Sequence, residues 1–134
     1  LVNKVKPDTF KNTDKDYPRL IIPFFDESGK LFAFQGRAFG KEQPKYITIK
    51  LDESKQKVYG LERVNFAQHI YVVEGPIDSL FLDNCIATAQ SDLRVGGDDV
   101  VLIPDNEPRN NEVVKQIKTY IDGSFNVYIP VMLV

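Results

Sequence analysis

The sequence predicts an α/β protein, a parallel-sheet lobe preceded by a small, basic, mainly antiparallel β lobe. Three observations carry this. In the first half, short apolar runs flank a glycine-containing turn, the pattern of a hairpin. In the second half, β-branched runs alternate with helix-type segments, the pattern of parallel strands joined by crossover helices. The rhythm changes near His69, which divides the chain into residues 1–18 as a linker or extended lead-in arm, 19–68 as the basic lobe and 69–134 as the parallel lobe.

Residues 1–18 are polar, carry two prolines and show no periodicity. RLIIPFF (19–25), the turn DESGK and LFAFQGRAF (31–39) form the predicted hairpin, and KYITIK (45–50) adds a third strand. YGLERVNFAQ reads as a turn or a short helix. IYVVE (70–74) suits a buried parallel strand, which Gly75 and Pro76 break. IDSLFLDN then predicts a helix with Ile77, Leu80 and Phe81 on one face. CIAT (85–88), VVLIP (100–104) and FNVYIP (125–130) are further strands. NNEVVKQIKTYID (110–122) predicts an amphipathic helix with Val113, Val114, Ile117, Tyr120 and Ile121 as its stripe and Gly123 as its stop.

Composition narrows the function classes. At 43% hydrophobic and 27% charged, the chain is ordinary for a globular protein. A net charge of −2 demands neither nucleic acid nor membrane, so any nucleic-acid surface must arise from local segregation of charge. One cysteine and one histidine rule out an internal disulfide and a Cys/His zinc site within the chain. Cys85 is expected to be a small core residue, and His69 to cap the start of a strand. No apolar run is long enough to span a bilayer and the opening stretch is not a signal peptide, so a cytoplasmic setting is expected. The chain starts without Met and stops in VYIPVMLV, which reads as a segment excised from a longer protein.

Two acidic features sit at predicted strand ends. Glu74 closes IYVVE; Asp105 and Glu107, in PDNE, follow VVLI. Ligands of parallel α/β sheets bind beyond the carboxyl ends of the strands, and residues two apart in extended backbone point the same way. If the two strands are neighbours, three carboxylates converge and repel, and a hard divalent cation relieves the repulsion. Such a cation can clamp a triphosphate during phosphoryl transfer. The other reading leaves the same three residues as solvated loop acids. Gly75 removes bulk where a phosphate could approach the backbone. Asp78 reads either as an acid favouring a helix N-terminus or as a neighbour of the metal.

Basic residues lie on three neighbouring segments: Arg37 in FQGRAF, Lys45 in QPKY, and Lys55 and Lys57 before VYGL. They form either a channel for phosphates or plain solvated surface. Arg37, beside Gly36 within an apolar strand, needs a partner. Arg109 is a further candidate to pair with the acids or touch phosphate. Phe24, Phe25, Phe32, Phe34 and Phe39 are expected to fill a core.

EGPIDSLF (74–81) resembles the first TOPRIM motif, and PDNE (104–107) the second, with Glu107 where an aspartate is usual. RLIIPFFDESGKLFAFQGRAFG, PKY and VYGLERV resemble the basic lobe of DnaG-type DNA primases, and QGRA, KYITI, YGLERV, YVVEGPIDSLF and DNEPR are similar to primases of the T-even bacteriophage group. The resemblance spans about residues 19–130 and implies a TOPRIM (Rossmann-like) lobe. It implies a primase core that synthesises short RNA primers on a single-stranded DNA template by metal-dependent nucleotidyl transfer. Glu74 would be the acid/base or metal-organising carboxylate. Asp105 and Glu107, with Asp78 close by, would bind Mg²⁺ or Mn²⁺. Arg37, Lys45 and Lys57, along with Gly75, would hold template or incoming ribonucleoside triphosphate, with Lys55 an alternative to Lys57. A replicative helicase is the implied partner. The family's zinc-binding module and its later acidic residues are not in this chain. The competing readings are another TOPRIM enzyme, a nuclease or topoisomerase, and a non-catalytic nucleotide- or partner-binding module.

Overall fold

A computed structural model describes residues 17–97, 99–105, 107 and 109–130. Most of the expected lead-in arm, and the last four residues, lie outside them. Strands β1 (Arg19–Phe25), β2 (Leu31–Ala38) and β3 (Tyr46–Lys50) form an antiparallel sheet in that order. Strands β4 (Ile70–Val73), β5 (Cys85–Ala87), β6 (Val100–Leu102) and β7 (Asn126–Val127) form a parallel sheet in the order β5-β4-β6-β7. Helix α1 (Pro76–Ser79) lies between β4 and β5, and α2 (Asn111–Asp122) between β6 and β7. The predicted α/β class and the antiparallel-then-parallel order are therefore both present.

The hairpin turn is made by its own sequence. Oδ1 of Asp26 accepts from the N–H of Ser28 (3.0 Å), the hydroxyl of Ser28 (2.6 Å) and the N–H of Lys30 (3.0 Å). Gly29 takes the left-handed φ of +82° that a side chain disfavours. The Ser28 hydroxyl, followed by the Lys30 N–H, holds the Asp26 carboxyl down at about 2. One strand further on, Gly36 admits the side chain of Arg19: a Cβ at 36 would lie 3.1 Å from its Cδ, and the guanidinium donates to the carbonyl of Pro44 at 2.8 Å.

The core of the parallel lobe is Ile70, Val72, Ile86, Leu93, Val100, Leu102 and Tyr120, with Val58. Tyr120 ties α2 to the loop after β5: its hydroxyl accepts from the Leu93 N–H (3.1 Å) and donates to the Ser91 carbonyl (3.3 Å). A second core, Ile22, Phe24, Phe32 and Ala33, belongs to the antiparallel sheet and packs on Tyr59, Leu61, Ile77 and Ala89. Tyr59 joins the lobes. Its ring centroid is 5.4 Å from that of Phe24, and its backbone exchanges hydrogen bonds with Ala87 at 2.7 and 3.0 Å.

Two local expectations change and others hold. The helix predicted over IDSLFLDN covers Pro76–Ser79 alone. The N–H groups of Leu80, Phe81 and Leu82 bond back three residues, tightening the chain into turns, and Asn84 then takes φ +51°. Ile77 still packs on the second core, whereas Phe81 is 82% exposed. Phe24 and Phe32 fill the core as expected, but Phe39 lies past the end of β2 and is 70% exposed. Gly123 does end α2, but at φ −82°; the left-handed residue is Ser124 at φ +62°. His69 faces Asp99 across the strand starts, and Asn84 donates to the His69 carbonyl at 2.7 Å. Cys85 is a buried core residue whose thiol burial pushes up to about 11.

Candidate functional site

The strand order sets the position of the site. From β4 the chain crosses to β5 on one side, then returns to β6 on the other. The crevice beyond the carboxyl ends of β4 and β6 is thus a topological switch point, where open α/β sheets bind ligands. Glu74 is the first residue after β4. Asp105 follows β6 by way of Ile103 and Pro104, with the Ile103 N–H still paired to the Val72 carbonyl at 2.8 Å. The Glu74 carbonyl accepts from the Ala89 N–H at 2.9 Å, which fixes the backbone on its other flank.

The acids share one field. Solvent reaches Glu74 and Asp105, yet the protein around them removes part of their hydration. This desolvation is the first cause of the raised Glu74 carboxyl; the charges of Asp105, Glu107 and Asp78 follow in that order. Asp105 is raised by desolvation, then by Glu107 and Asp78. Three carboxylates, from the Glu74–Asp78 segment and the Asp105–Glu107 segment, therefore lie within electrostatic reach of Glu74. Asn110 sets Glu107: its Nδ2 donates to Glu107 Oε2 at 2.8 Å, while its Oδ1 caps α2 by accepting from the Glu112 N–H at 3.1 Å. Gly75 lies under Asp78, and a Cβ there would meet Asp78 Oδ2 at 2.5 Å.

A cleft of about 470 Å³ runs between the sheets. The antiparallel lobe lines it with Gln35, Tyr46, Thr48 and Lys57, and the parallel lobe with Glu74, Gly75, Asp78 and Asp105. An adjoining pocket of about 480 Å³ shares Glu74 and Asp105 and adds Glu107 and Asn110. Of the two lysines before VYGL, Lys55 pairs with Asp26 at 3.7 Å, leaving Lys57 in the cleft. Arg37 finds its partner in an aromatic ring: its Cζ lies 5.6 Å from the Tyr46 centroid, with Lys45 Nζ at 5.4 Å from the same ring. Arg37 and Lys45 thus reach the cleft through Tyr46 and are not among its lining residues. Arg109 shares a shallow groove with Glu107.

Tyr46, Thr48, Gln35 and Asn110 are site residues that the sequence reading missed. The first three had a signal. Arg37 pairs with Tyr46 and Gln35 with Thr48, so a period of two places all four on one face once the register is known. Asn110 had one as well, an Asn directly before a helical pattern.

Among the described residues, no group of three or more His, Cys, Asp or Glu side chains is placed to hold a metal ion. The donors are nonetheless hard carboxylates that repel one another. By donor type alone, such oxygens suit a hard divalent ion that takes one or two carboxylates and keeps water in its shell.

No family model matches the chain. It is 44% identical over 132 residues to the DNA primase of Enterobacteria phage T4, covering 95% of this chain and 38% of that protein. Among solved structures, the Escherichia coli primase catalytic core superposes with a TM-score of 0.62 at 19% identity, over 94% of this chain and 48% of that one. A DnaG primase catalytic domain bound to single-stranded DNA gives 0.61 at 18% identity, over 86% of this chain and 44% of the other. The chain thus spans well under half the length of the phage relative. The chain thus has the fold of the DnaG primase catalytic cores, and its sequence is similar to a phage DNA primase along nearly its whole length.

Proposed function

We propose that this chain is the catalytic-core portion of a primase that joins ribonucleotides on a single-stranded DNA template, releasing pyrophosphate. The observation that carries the reading is the gathering of Glu74, Asp78, Asp105 and Glu107 along two adjoining clefts at the switch point. Glu74, Asp105 and Glu107, with Asp78 beside them, would hold Mg²⁺ or Mn²⁺. When bound, the ion supplies charge neutralisation for a triphosphate. Lys57 faces the acids across the cleft and holds phosphate. Arg37 and Lys45, held beside the Tyr46 ring, give the template or triphosphate a positive rim. Gly75 lets that phosphate approach the backbone. Catalysis comes from positioning and electrostatics. Residues 19–68 act as the basic lobe and 69–134 as the TOPRIM lobe. Among the described residues, no helix is long and apolar enough to cross a membrane. Primer synthesis places the protein in the cytoplasm with a replicative helicase as partner.

The test is Glu74→Gln in the full-length protein. Dinucleotide synthesis should fall by about a hundredfold or more while the melting temperature holds. Retained synthesis removes Glu74 from the mechanism, and metal-dependent DNA cleavage in place of synthesis replaces the primase reading.

A further inference from the structure

Gln35 is only 4% exposed, and it lines the cleft together with Gly75, Asp78 and Asp105. Its Nε2 donates to Thr48 Oγ1 at 3.2 Å, the long end of the hydrogen-bond range. Its Oε1 is buried with no partner, the single such side-chain atom among the described residues. Folded proteins pair nearly all their buried acceptors, because an unpaired one loses its hydration for nothing. Gln35 and Thr48 both line the cleft, so a donor held there lies on their side of the sheet. At about 470 Å³, that cleft has room for a small-molecule ligand of nucleotide size.

The register adds the chemistry. Gln35 and Thr48 are direct cross-strand partners, so both side chains rise from one face. One pair along that face, Arg37 opposes Tyr46 and carries positive charge. Thr48 Oγ1 already accepts from Gln35 and keeps its own O–H to donate. The terminal torsion of a glutamine is broad, so the amide can turn its oxygen to a donor arriving in the cleft. Together the two residues offer one acceptor and one donor, complementary to adjacent hydroxyls that both give and take hydrogen bonds.

We propose that Gln35, supported by Thr48, reads the ribose hydroxyls of the nucleotide held in the cleft, and so contributes to the choice of ribonucleotides over deoxyribonucleotides. This rests on the nucleotidyl-transfer reading above. A 2′-deoxyribonucleotide returns the Gln35 oxygen to its unpaired state, and a site built to bond a hydroxyl discriminates against the analogue that lacks it. The charged residues of the same cleft do not make this distinction, since both nucleotides carry the same triphosphate.

The experiment uses the full-length protein on a single-stranded DNA template. Steady-state primer synthesis is compared for ribonucleoside and 2′-deoxyribonucleoside triphosphates, with Gln35→Leu and Thr48→Val beside the parent. The preference for ribonucleotides should shrink about tenfold in Gln35→Leu, through a raised KM, and less in Thr48→Val. The melting temperature of Gln35→Leu should change little, because the unpaired oxygen leaves together with only one long bond, that of Nε2 to Thr48 at 3.2 Å. An unchanged preference, or ribo and deoxy rates falling together, overturns the proposal and leaves the primase reading intact. A parent that makes no primer under any condition overturns both. Should Gln35→Leu not fold, Thr48→Val at its half-buried position decides by the same ratio.

Discussion

Asp78 folds its carboxylate back over Gly75, so closely that a methyl group on residue 75 would meet Oδ2 at 2.5 Å. The contact is with the far end of a side chain, and Gly75 has ordinary extended angles, φ −88° and ψ 130°. Gly75→Ala therefore brings no backbone strain. It should push Asp78 off its position, narrow the cleft and lower primer synthesis about tenfold or more, with little change in melting temperature. A melting temperature that falls in step with activity would instead assign Gly75 to folding.

Asn110 joins two roles that substitution can separate. Asn110→Asp keeps an oxygen for the Glu112 N–H but loses the N–H that bonds Glu107, and sets a like charge beside it. Stability should hold and synthesis should drop. Asn110→Ala loses the cap as well, at a cost of about 1 kcal/mol. Thermal melts with parallel activity assays check both, and equal stability losses in the two variants would contradict the division.

Asp26 gives the fold a defined acid limit. Its carboxyl titrates at about 2 against an ordinary 3.8, so the folded state favours the ionised form. That contribution is complete above 3.8 and is lost as pH falls towards about 2. Asp26→Asn should melt below the parent at neutral pH, and the gap should close as pH drops through this window. A gap constant across the window would rule out the carboxylate as its source.

Divalent metal should act through the switch-point acids. Mn²⁺ added to the full-length protein should raise its melting temperature, since binding to the folded state alone stabilises it. Asp105→Asn should remove most of that increase. An increase of the same size in the variant would place the ion elsewhere.

Legibility in the sequence followed the range of the forces involved. IYVV and VVL are short β-branched runs whose burial needs only a sheet with covered faces, and they became β4 and β6. Glu74 and Asp105 were legible because strand ends locate themselves. The helix over IDSLFLDN was misread because periodicity does not register a chain that tightens after Ser79 and reverses at Asn84. Phe39 counted as core by alternation with the other phenylalanines, but lies past the last strand pairing. Tyr46, Thr48 and Gln35 became visible only with the β2–β3 register, a long-range fact that neither strand states alone. The choice between Lys55 and Lys57 rested on Asp26, thirty or so positions away in sequence and beside Lys55 in space.

Tyr59 grips the edge of β5 through two backbone hydrogen bonds and packs its ring, tilted by 59°, against Phe24 in the other sheet. A residue anchored on both sides works as a rivet, not a hinge. The gap between the sheets is therefore spanned by a residue tied to both of its walls. Changes in the buried seam around Phe24 should then alter reaction geometry from a distance, just as a loosened rivet alters the bite of a fixed tool.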